Sequence, residues 1–482
     1  MEGRKIALGI DAGTHGIRIL SVDAESLTVL QNIQESYVRH VAGGVQELDA
    51  ADVTAALYSA LGRLRLQSGD RIAAAGITHQ RGTVLPVDVQ GKAVHPALCD
   101  SDTRAVLGDE FAAAGFDPVR YYEESGCPVV SFNGFTKVLW CREHMPEIME
   151  RAETFLSLQD YLLGILCGKA VFTEGSLLRN GMLDIRTRGA HEGNLKKLGL
   201  PVPETVPLGG EAGRASQETV RAFPFLKDTI FYAVPGDQPA AVIGSGAFAD
   251  NVPAMNLGTT FVMSILSGQP LASADGLVTT EVLPGCYSPE FGTGAGGQFM
   301  DFLMGILSGG NSLVDWKKTN EEAAGVKAGA EGLRIVPLLW QATSSGVEGS
   351  ILGLMPQHTP AHFVRAAYEG LAFEAALSAE KMRRAAGEAH IPFDMKALRV
   401  FGGLTESDIF LQILSCVLGV PVEAAAQKQA SAYGAALLSA QEFRKTIGAG
   451  DALPAAPVRI FTPDREEEKY YEQAFAVYCD RR

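Results

Sequence analysis

The apolar run Ile6–Ile10 gives way to the small and polar residues Asp11-Ala12-Gly13-Thr14-His15-Gly16, and the chain then resumes a β-favouring run from Ile17 to Asp23. Two such runs around a turn of small residues predict a hairpin. A third run at Leu27–Leu30 predicts a further strand. From Asp52 to Leu66 the period changes: Val53, Ala56, Leu57, Ala60, Leu61 and Leu64 fall at helical spacing. Ile72–Ile77 predicts a buried strand that ends in the polar residues His79-Gln80-Arg81. Strands, a helix and another strand make an α/β unit with an antiparallel hairpin edge.

The second half repeats this beginning. Ala254–Leu257 leads through Gly258-Thr259-Thr260 into Phe261–Ile265, again a strand, a turn of small residues and a strand. The Gly-Thr steps at positions 13 and 258 lie 245 residues apart, about half the chain. Two copies of one architecture predict two lobes with a cleft between them. The weakest point between the halves is Gly244–Asn251, which places the expected boundary at 247/248. Beyond it, the pattern predicts a long amphipathic helix over His362–Arg384, a strand at Leu398–Phe401, a helix over Asp408–Leu418 and a charged helix over Asp464–Tyr478.

Composition narrows the class. The 482 residues are 46% hydrophobic and 20% charged, enough apolar material for large cores. A formal net charge of −15 disfavours general binding to nucleic acid or anionic membranes. It leaves room for a small anionic ligand, which needs only a few local N–H groups. The seven cysteines are scattered without a C-x-x-C pair, which fits a reducing cytoplasm. The run Ile6–Ile10 is too short for a signal peptide. Gly, Pro and Asn residues spoil the uncharged segment Asn251–Ala274 as a membrane span. The expectation is a soluble cytoplasmic protein.

Three groups of residues could carry chemistry. At the first turn, Gly13 and Thr14 could present consecutive N–H groups to phosphate oxygens, and Asp11 at a strand end could hold Mg²⁺; the alternative is an ordinary hairpin turn. The second turn, Gly258-Thr259-Thr260, adds weight to the phosphate reading. Gly236-Asp237-Gln238 stands between the apolar run Ile230–Val234 and a helical segment. There Asp237 could take a proton from an alcohol, or simply cap the helix. Gln80, Arg81, Asp100 and Asp102 could read hydroxyl groups, or be solvated loop charges. Gly292–Gly297 fits G-x-G-x-x-G, but Cys286–Glu290 before it, with its Pro289, makes a poor buried strand. No G-x-x-x-x-G-K-[ST] is present, which excludes a Walker-type NTPase.

Taken together, these segments resemble the FGGY carbohydrate kinases, within the superfamily of actin, hexokinase and the heat-shock chaperone ATPases. The matching pieces run in order: Gly9–Thr14, Thr136–Trp140, Asp160–Leu162 with Thr173–Asp184, Gly236–Gln238, Leu257–Thr260, Arg365–Gly370, Gly402-Gly403 and Tyr433–Ala436. The resemblance implies an α/β fold of two actin-like, RNase-H-like lobes closing on ATP, Mg²⁺ and a sugar or polyol. Residues 1–247 would carry the sugar site, first phosphate turn and general base, and residues 248–482 the nucleotide site. It implies Asp237 as general base and Asp11 as the magnesium-associated carboxylate. Gly13-Thr14 and Gly258-Thr259-Thr260 would be the phosphate turns, and Gly402-Gly403 the adenosine loop. Gln80, Arg81, Asp102 and Gln238 would touch substrate. Family habit adds a homodimer to the expected partners.

Gln80-Arg81 and Gly236-Asp237-Gln238 look like glycerol kinases, with three departures. Gly82 stands where those enzymes have Glu, Asp100 where they have Trp, and Phe132 where they have Tyr. These changes remove a carboxylate, a large wall and a phenol hydroxyl, while Asp100 adds an acceptor. A roomier pocket suits a chain of about five carbons, such as the pentulose xylulose. Arg81-Gly82-Thr83, however, does not match the Met-His-Gly usual in xylulose kinases. The rival readings are a glycerol or other polyol kinase, and a sugar-independent ATPase resembling actin or the heat-shock chaperones.

Overall fold

In a computed structural model of the chain, the first hairpin is Lys5–Ala12 paired antiparallel with Gly16–Asp23. The structure describes residues 3–309, 315–339, 348–448, 453 and 455–481. The third strand starts later than the apolar run suggests, at Val29, and continues to Ser36. The Asp23 carboxylate accepts from the Glu25 and Ser26 N–H groups, and Leu27 takes φ +60°. This turn uses up the first part of the run. The strand lies at the sheet edge with only Ile33 buried, so polar residues fill most of it.

Six strands form this sheet, in the order Glu211–Arg214, Ile230–Tyr232, Arg71–His79, Lys5–Ala12, Gly16–Asp23 and Val29–Ser36. The middle three run parallel and the outer ones antiparallel. Central parallel strands are covered on both faces, which explains the unbroken apolar runs. The helix Ala50–Gly62 buries Val53, Ala56, Leu57, Ala60 and Leu61.

A second sheet, of seven strands, has the order Val278–Leu283, Cys286–Gly292, Phe261–Ser264, Ala254–Leu257, Leu398–Phe401, Val422–Ala425 and Val458–Phe461. From Cys286–Gly292 onward its sequence of antiparallel and parallel pairings is the same as in the first. The repeat seen in the two Gly-Thr turns is therefore a repeat of topology. The predicted strand Leu398–Phe401 and helix Asp408–Leu418 form with those bounds. The two other predicted helices span Pro360–Glu388 and Arg465–Arg481.

One expectation fails. Cys286–Gly292 does form a strand, buried from Tyr287 to Phe291. Its pairing with Phe261–Ser264 uses Glu290, Phe291 and Gly292, beyond Pro289, so this ladder does not need the missing proline N–H. The pairing is antiparallel, so the glycine run after it does not open a dinucleotide-binding βαβ unit.

The chain divides into two units. One comprises Met1–Gly244, Ser267–Pro289 and Gln429–Pro454; the other comprises Ser245–Leu266, Glu290–Lys428 and Ala455–Arg482. A cut at 247/248 does not describe this division, because two later segments return to the first unit. In one return, the Thr279 N–H donates to the Gly126 carbonyl at 2.8 Å and the Tyr122 hydroxyl to the Leu277 carbonyl at 2.6 Å. In the other, the helix Ala430–Thr446 lies on the first sheet and against the helix Asp237–Gly244.

That helix contact is made backbone to backbone. A Cβ at Gly9 would collide with the Ala432 carbonyl, one at Gly434 with the Ala240 carbonyl, and one at Gly244 with the Ala430 carbonyl. Ala432, Ala435, Ala436 and Ala440 fill the rest of the seam and are buried. No helix among the described residues is long and apolar enough to cross a membrane.

Replacing Gly434 by Ala sets two effects against each other. Helix propensity favours Ala by about 1 kcal/mol, whereas overpacking against a backbone typically costs about 1–3 kcal/mol or more. The clash dominates, so Gly434→Ala lowers the denaturant-unfolding free energy. Gly62→Ala, at a helix end with open space around it, leaves stability unchanged or slightly raised.

Candidate active site

The C-terminal ends of the parallel strands gather the first unit's polar residues. In register, Asp11 lies opposite Thr78, and Ala12 opposite His79. The Gln80 N–H extends the pairing by donating to the Ala12 carbonyl at 2.9 Å. The Thr78 hydroxyl donates to the Pro235 carbonyl at 2.9 Å, tying this strand end to the segment that delivers Asp237. Ligands in open α/β sheets bind at such strand ends.

Asp237 is the first residue of its helix. Its Oδ1 accepts from Arg81 Nε and from the Gln238 N–H, both at 2.8 Å. Pro239 has no N–H, and the Ala240 N–H bonds to the Gly236 carbonyl, so Asp237 does not cap the helix in the usual way. Oδ2 has no hydrogen-bond partner among the described residues, and the side chain is 39% exposed. Gly236 is needed here because a Cβ would collide with the Arg81 side chain. Arg81 Nη1 also reaches Thr280 Oγ1 at 3.4 Å.

Asp11 Oδ1 is buried and has no hydrogen-bond partner. Burial first, and then the nearby Asp237 carboxylate, push its pKa up to about 7, against a smaller opposing pull from Arg18. A lone carboxylate in this state suits a divalent cation, and Mg²⁺ needs only one or two carboxylates when phosphates and water complete its shell. The described residues contain no cluster of three or more His, Cys, Asp or Glu that could hold a metal unaided.

The first turn differs from the expected cradle of consecutive donors. The Gly13 N–H closes the hairpin onto the Gly16 carbonyl at 3.1 Å, and the Tyr37 hydroxyl donates to the Gly13 carbonyl. A Cβ at Gly13 would point toward both Asp11 carboxylate oxygens, 3.8 and 3.9 Å away. Gly13 therefore contributes space beside Asp11, and donors must come from Thr14 onward.

In the second unit three glycine segments converge. The Gly258 and Thr259 carbonyls accept from the Gly297 and Gln298 N–H groups at 2.9 and 3.2 Å. A Cβ at Gly296 would collide with Thr259 and Thr260. Gly402, at φ +102°, would bring a Cβ to 2.8 Å from the Leu257 carbonyl carbon, while Gly403 faces open space. The G-x-G-x-x-G run, set aside as a dinucleotide motif, thus packs against the second turn and starts the helix Gly297–Leu307 beside it. Gln298 Nε2 is buried there without a partner. The signal that points to it is a glycine pair at a helix start.

The expected substrate residues separate. Gln80 is buried, and neither end of its amide has a partner. Gln238 is buried beside Asp237. Asp100 is half-buried, and its N–H donates to Thr83 Oγ1 at 3.0 Å. Asp102 is fully buried and already satisfied: Arg104 Nη2 donates to Oδ2 at 2.7 Å, and the Gln46 and Arg104 N–H groups donate at 2.9 and 3.0 Å. It holds its loop and has little acceptor capacity left for a ligand. Asp160, within a matching segment, is likewise spent on Thr173, whose N–H and hydroxyl donate at 2.9 and 2.7 Å.

Sequence reading gave no role to Lys137, His79 or Arg179. Lys137 Nζ donates to the Gly82 and Asp100 carbonyls at 2.7 and 3.2 Å, and burial lowers its pKa to about 8. His79 is buried with neither ring nitrogen partnered. Burial, then Arg81 and Arg179, lower its pKa to about 3, so the ring is neutral. Arg179 is 7% exposed and stacks over Phe132, its guanidinium carbon 5.7 Å from the ring centroid.

Comparison with known proteins gives a consistent picture. Residues 6–244 match the model for the N-terminal domain of the FGGY family of carbohydrate kinases, and residues 254–442 match the model for its C-terminal domain. A glycerol kinase from Nocardia farcinica is 28% identical over 396 residues, covering 79% of this chain and 78% of its own. A xylulose kinase from Staphylococcus epidermidis is 26% identical over 498 residues, covering 98% and 96%. The crystal structure of xylulose kinase from Rhodospirillum rubrum has a TM-score of 0.86 at 22% identity and covers 99% of this chain and 98% of its own.

The raised Asp11 pKa has a signed consequence. An unfolded Asp titrates near 3.8 and the folded one near 7, so in metal-free protein the folded state binds the extra proton between these values. Its stability therefore falls as pH rises from about 4 to about 7. Asp11→Asn removes that loss. The variant should be more stable than wild type by about 2–4 kcal/mol at pH 8, and equal to it near pH 4. Urea unfolding of both proteins across this range, without divalent cations, checks the prediction.

Proposed function

The chain belongs to the FGGY family of carbohydrate kinases, phosphotransferases that use ATP, and from that premise we propose that Asp237 is the general base that primes a hydroxyl of a small sugar or polyol for phosphorylation. The observation that carries the assignment is the state of its carboxylate. Arg81 fixes Oδ1 at 2.8 Å, while Oδ2 is unbonded and accessible to an incoming hydroxyl. A base must lie within hydrogen-bond reach of the proton it removes, and an oriented, half-exposed carboxylate at a strand end meets that need.

The rest of the assignment follows from the residues' chemistry. Asp11 would hold Mg²⁺, whose charge would offset the negative charge on the transferring phosphoryl group. Thr14 would supply donors at the first turn, with Gly13 leaving room for them. Gly258-Thr259-Thr260 would bind phosphate in the second unit, beside the Gly297–Leu307 helix start. Gly402-Gly403 would border the adenosine, with open space at Gly403. Gln80, Arg81, Gln238 and Asp100 would read the acceptor's hydroxyl groups. Asp102 is left out of this set because its acceptors are filled. ATP consumption makes the cytoplasm the natural compartment.

The departures at Gly82, Asp100 and Phe132 favour an acceptor longer than glycerol, of about five carbons, with the pentulose xylulose as the leading candidate. The whole-chain similarity to xylulose kinases supports this length, although Arg81-Gly82-Thr83 does not follow their usual pattern.

The test is ADP release with Mg-ATP across pentuloses, pentitols, tetritols, hexuloses and glycerol, alongside thermal shifts for binding. An acceptor-stimulated rate is expected, and Asp237→Ala should lower it by at least ~10²-fold. An equal rate in that variant would remove Asp237 from the role. ADP release indifferent to every acceptor would favour a sugar-independent ATPase.

A further inference from the structure

A cation withdrawn from water normally has an anion beside it, because an uncompensated buried charge is strongly destabilising. Arg179 breaks this rule. It is 7% exposed, its Nε is buried with no partner, and Nη1 has only the Cys127 sulfur at 3.9 Å. Among the described residues no carboxylate lies within ion-pair distance of it.

The neighbouring charges do not supply the anion. Arg81 is paired with Asp237 at 2.8 Å. Lys137 is held by two carbonyl oxygens and feels the Asp100 carboxylate as its main opposing charge. His79 is neutral, with Arg81 and Arg179 among the charges that lower its pKa; Phe132, which Arg179 covers, has its carbonyl packed against Gly82, the residue after Arg81. Gly82, where the glycerol kinases have Glu, adopts φ +78°, and a Cβ there would collide with the Phe132 carbonyl. The chain cannot place a carboxylate at that position. Arg179 nevertheless packs over Phe132, a ring 41% exposed, so it borders open space rather than closed core.

We infer that the acceptor brings the missing counter-ion: the substrate is a sugar acid, a polyhydroxy carboxylate whose carboxylate docks on Arg179 while one of its hydroxyls is phosphorylated. This rests on the kinase reading of Asp237 and narrows it from a neutral pentulose to an acid of similar length. A carboxylate suits the site better than a phosphate dianion, because one planar guanidinium neutralises one carboxylate through a two-pronged hydrogen bond, whereas a dianion would leave a buried negative charge. The transfer itself balances without further reactants. The acceptor oxygen bonds to the γ-phosphorus, the bond to the β–γ bridging oxygen breaks, the hydroxyl proton goes to Asp237, and ADP leaves.

The experiment compares wild-type kcat/KM on four- to six-carbon aldonates with that on the matched neutral amides, and on xylulose, xylitol and glycerol. At least one aldonate should exceed its amide by roughly 10- to 100-fold, the range of a charge-assisted hydrogen bond in a desolvated site, and should exceed every neutral alcohol. Arg179→Gln should lose a similar factor on that aldonate, chiefly through KM, with its melting temperature recorded as a folding check. The acid-to-amide comparison needs no variant, so a poorly folded Arg179→Gln would not remove the test. Turnover of a neutral acceptor ahead of every acid would overturn the inference and leave the kinase reading standing. ADP release unresponsive to acids and neutral compounds alike would overturn both.

Discussion

The close approach of the helix Ala430–Thr446 to the first sheet and to the helix Asp237–Gly244 is the constraint on which the candidate site depends. Glycines at 9, 244 and 434 let main chain meet main chain where any Cβ would collide with a carbonyl. Such a seam has one depth and one register, because a shift of a single residue would put a side chain into it. It locks the strand that carries Asp11 to the helix that begins with Asp237. The Thr78 hydroxyl on the Pro235 carbonyl then secures the neighbouring strand end, from which Gln80 and Arg81 project. A helix supplied from the far end of the chain thus sets the spacing of groups within the first half.

With the backbone held in this way, the first unit can hold groups that would not be stable there unaided. Asp11 has an unpartnered oxygen, Gln80 an unpartnered amide, His79 two unpartnered ring nitrogens and Arg179 an unpaired charge. Each costs folding free energy, since buried polar groups are ordinarily satisfied. These groups lie around the C-terminal ends of the parallel strands and the loops beside them, while Asp102, Asp160 and Arg104, which serve the surrounding loops, have full sets of partners. The contrast separates residues whose bonding capacity is used within the fold from residues whose capacity is not.

Much of the fold could be read in the sequence because burial writes itself as periodicity. The hairpin turns, the strand at Leu398–Phe401 and the helix Asp408–Leu418 follow from local apolar patterns. The edge strand Val29–Ser36 was shortened because only Ile33 in it is buried. The Cys286–Gly292 strand was missed because Pro289 was judged without knowing which side of it the ladder uses. That Ser267–Pro289 and Gln429–Pro454 pack with the first unit was not legible, because it depends on long-range packing that leaves no local period. Within the site, Asp11, Asp237 and Arg81 were legible as polar residues at strand ends. Arg179 was not, since what sets it apart is a partner that is missing, and absence of a contact has no local signature.

The repeated topology shows how one architecture can carry two kinds of turn. The strand–turn–strand unit that presents Asp11 before Gly13-Thr14 presents Asn256 before Gly258-Thr259 in the second copy. A carboxylate attracts cations and repels phosphate oxygens unless a metal intervenes, whereas an amide is neutral and tolerates phosphate directly. The first copy also spends its Gly13 N–H on closing the hairpin. The second copy spends its turn carbonyls on the start of the Gly297–Leu307 helix, whose Gly297, Gln298 and Phe299 N–H groups donate to the Gly258, Thr259 and Gly296 carbonyls. The change from acid to amide therefore gives the two turns different electrostatic character, a carboxylate beside the first and a neutral amide beside the second. The sheet order is common to both copies, and the residues at the turn set the difference between them.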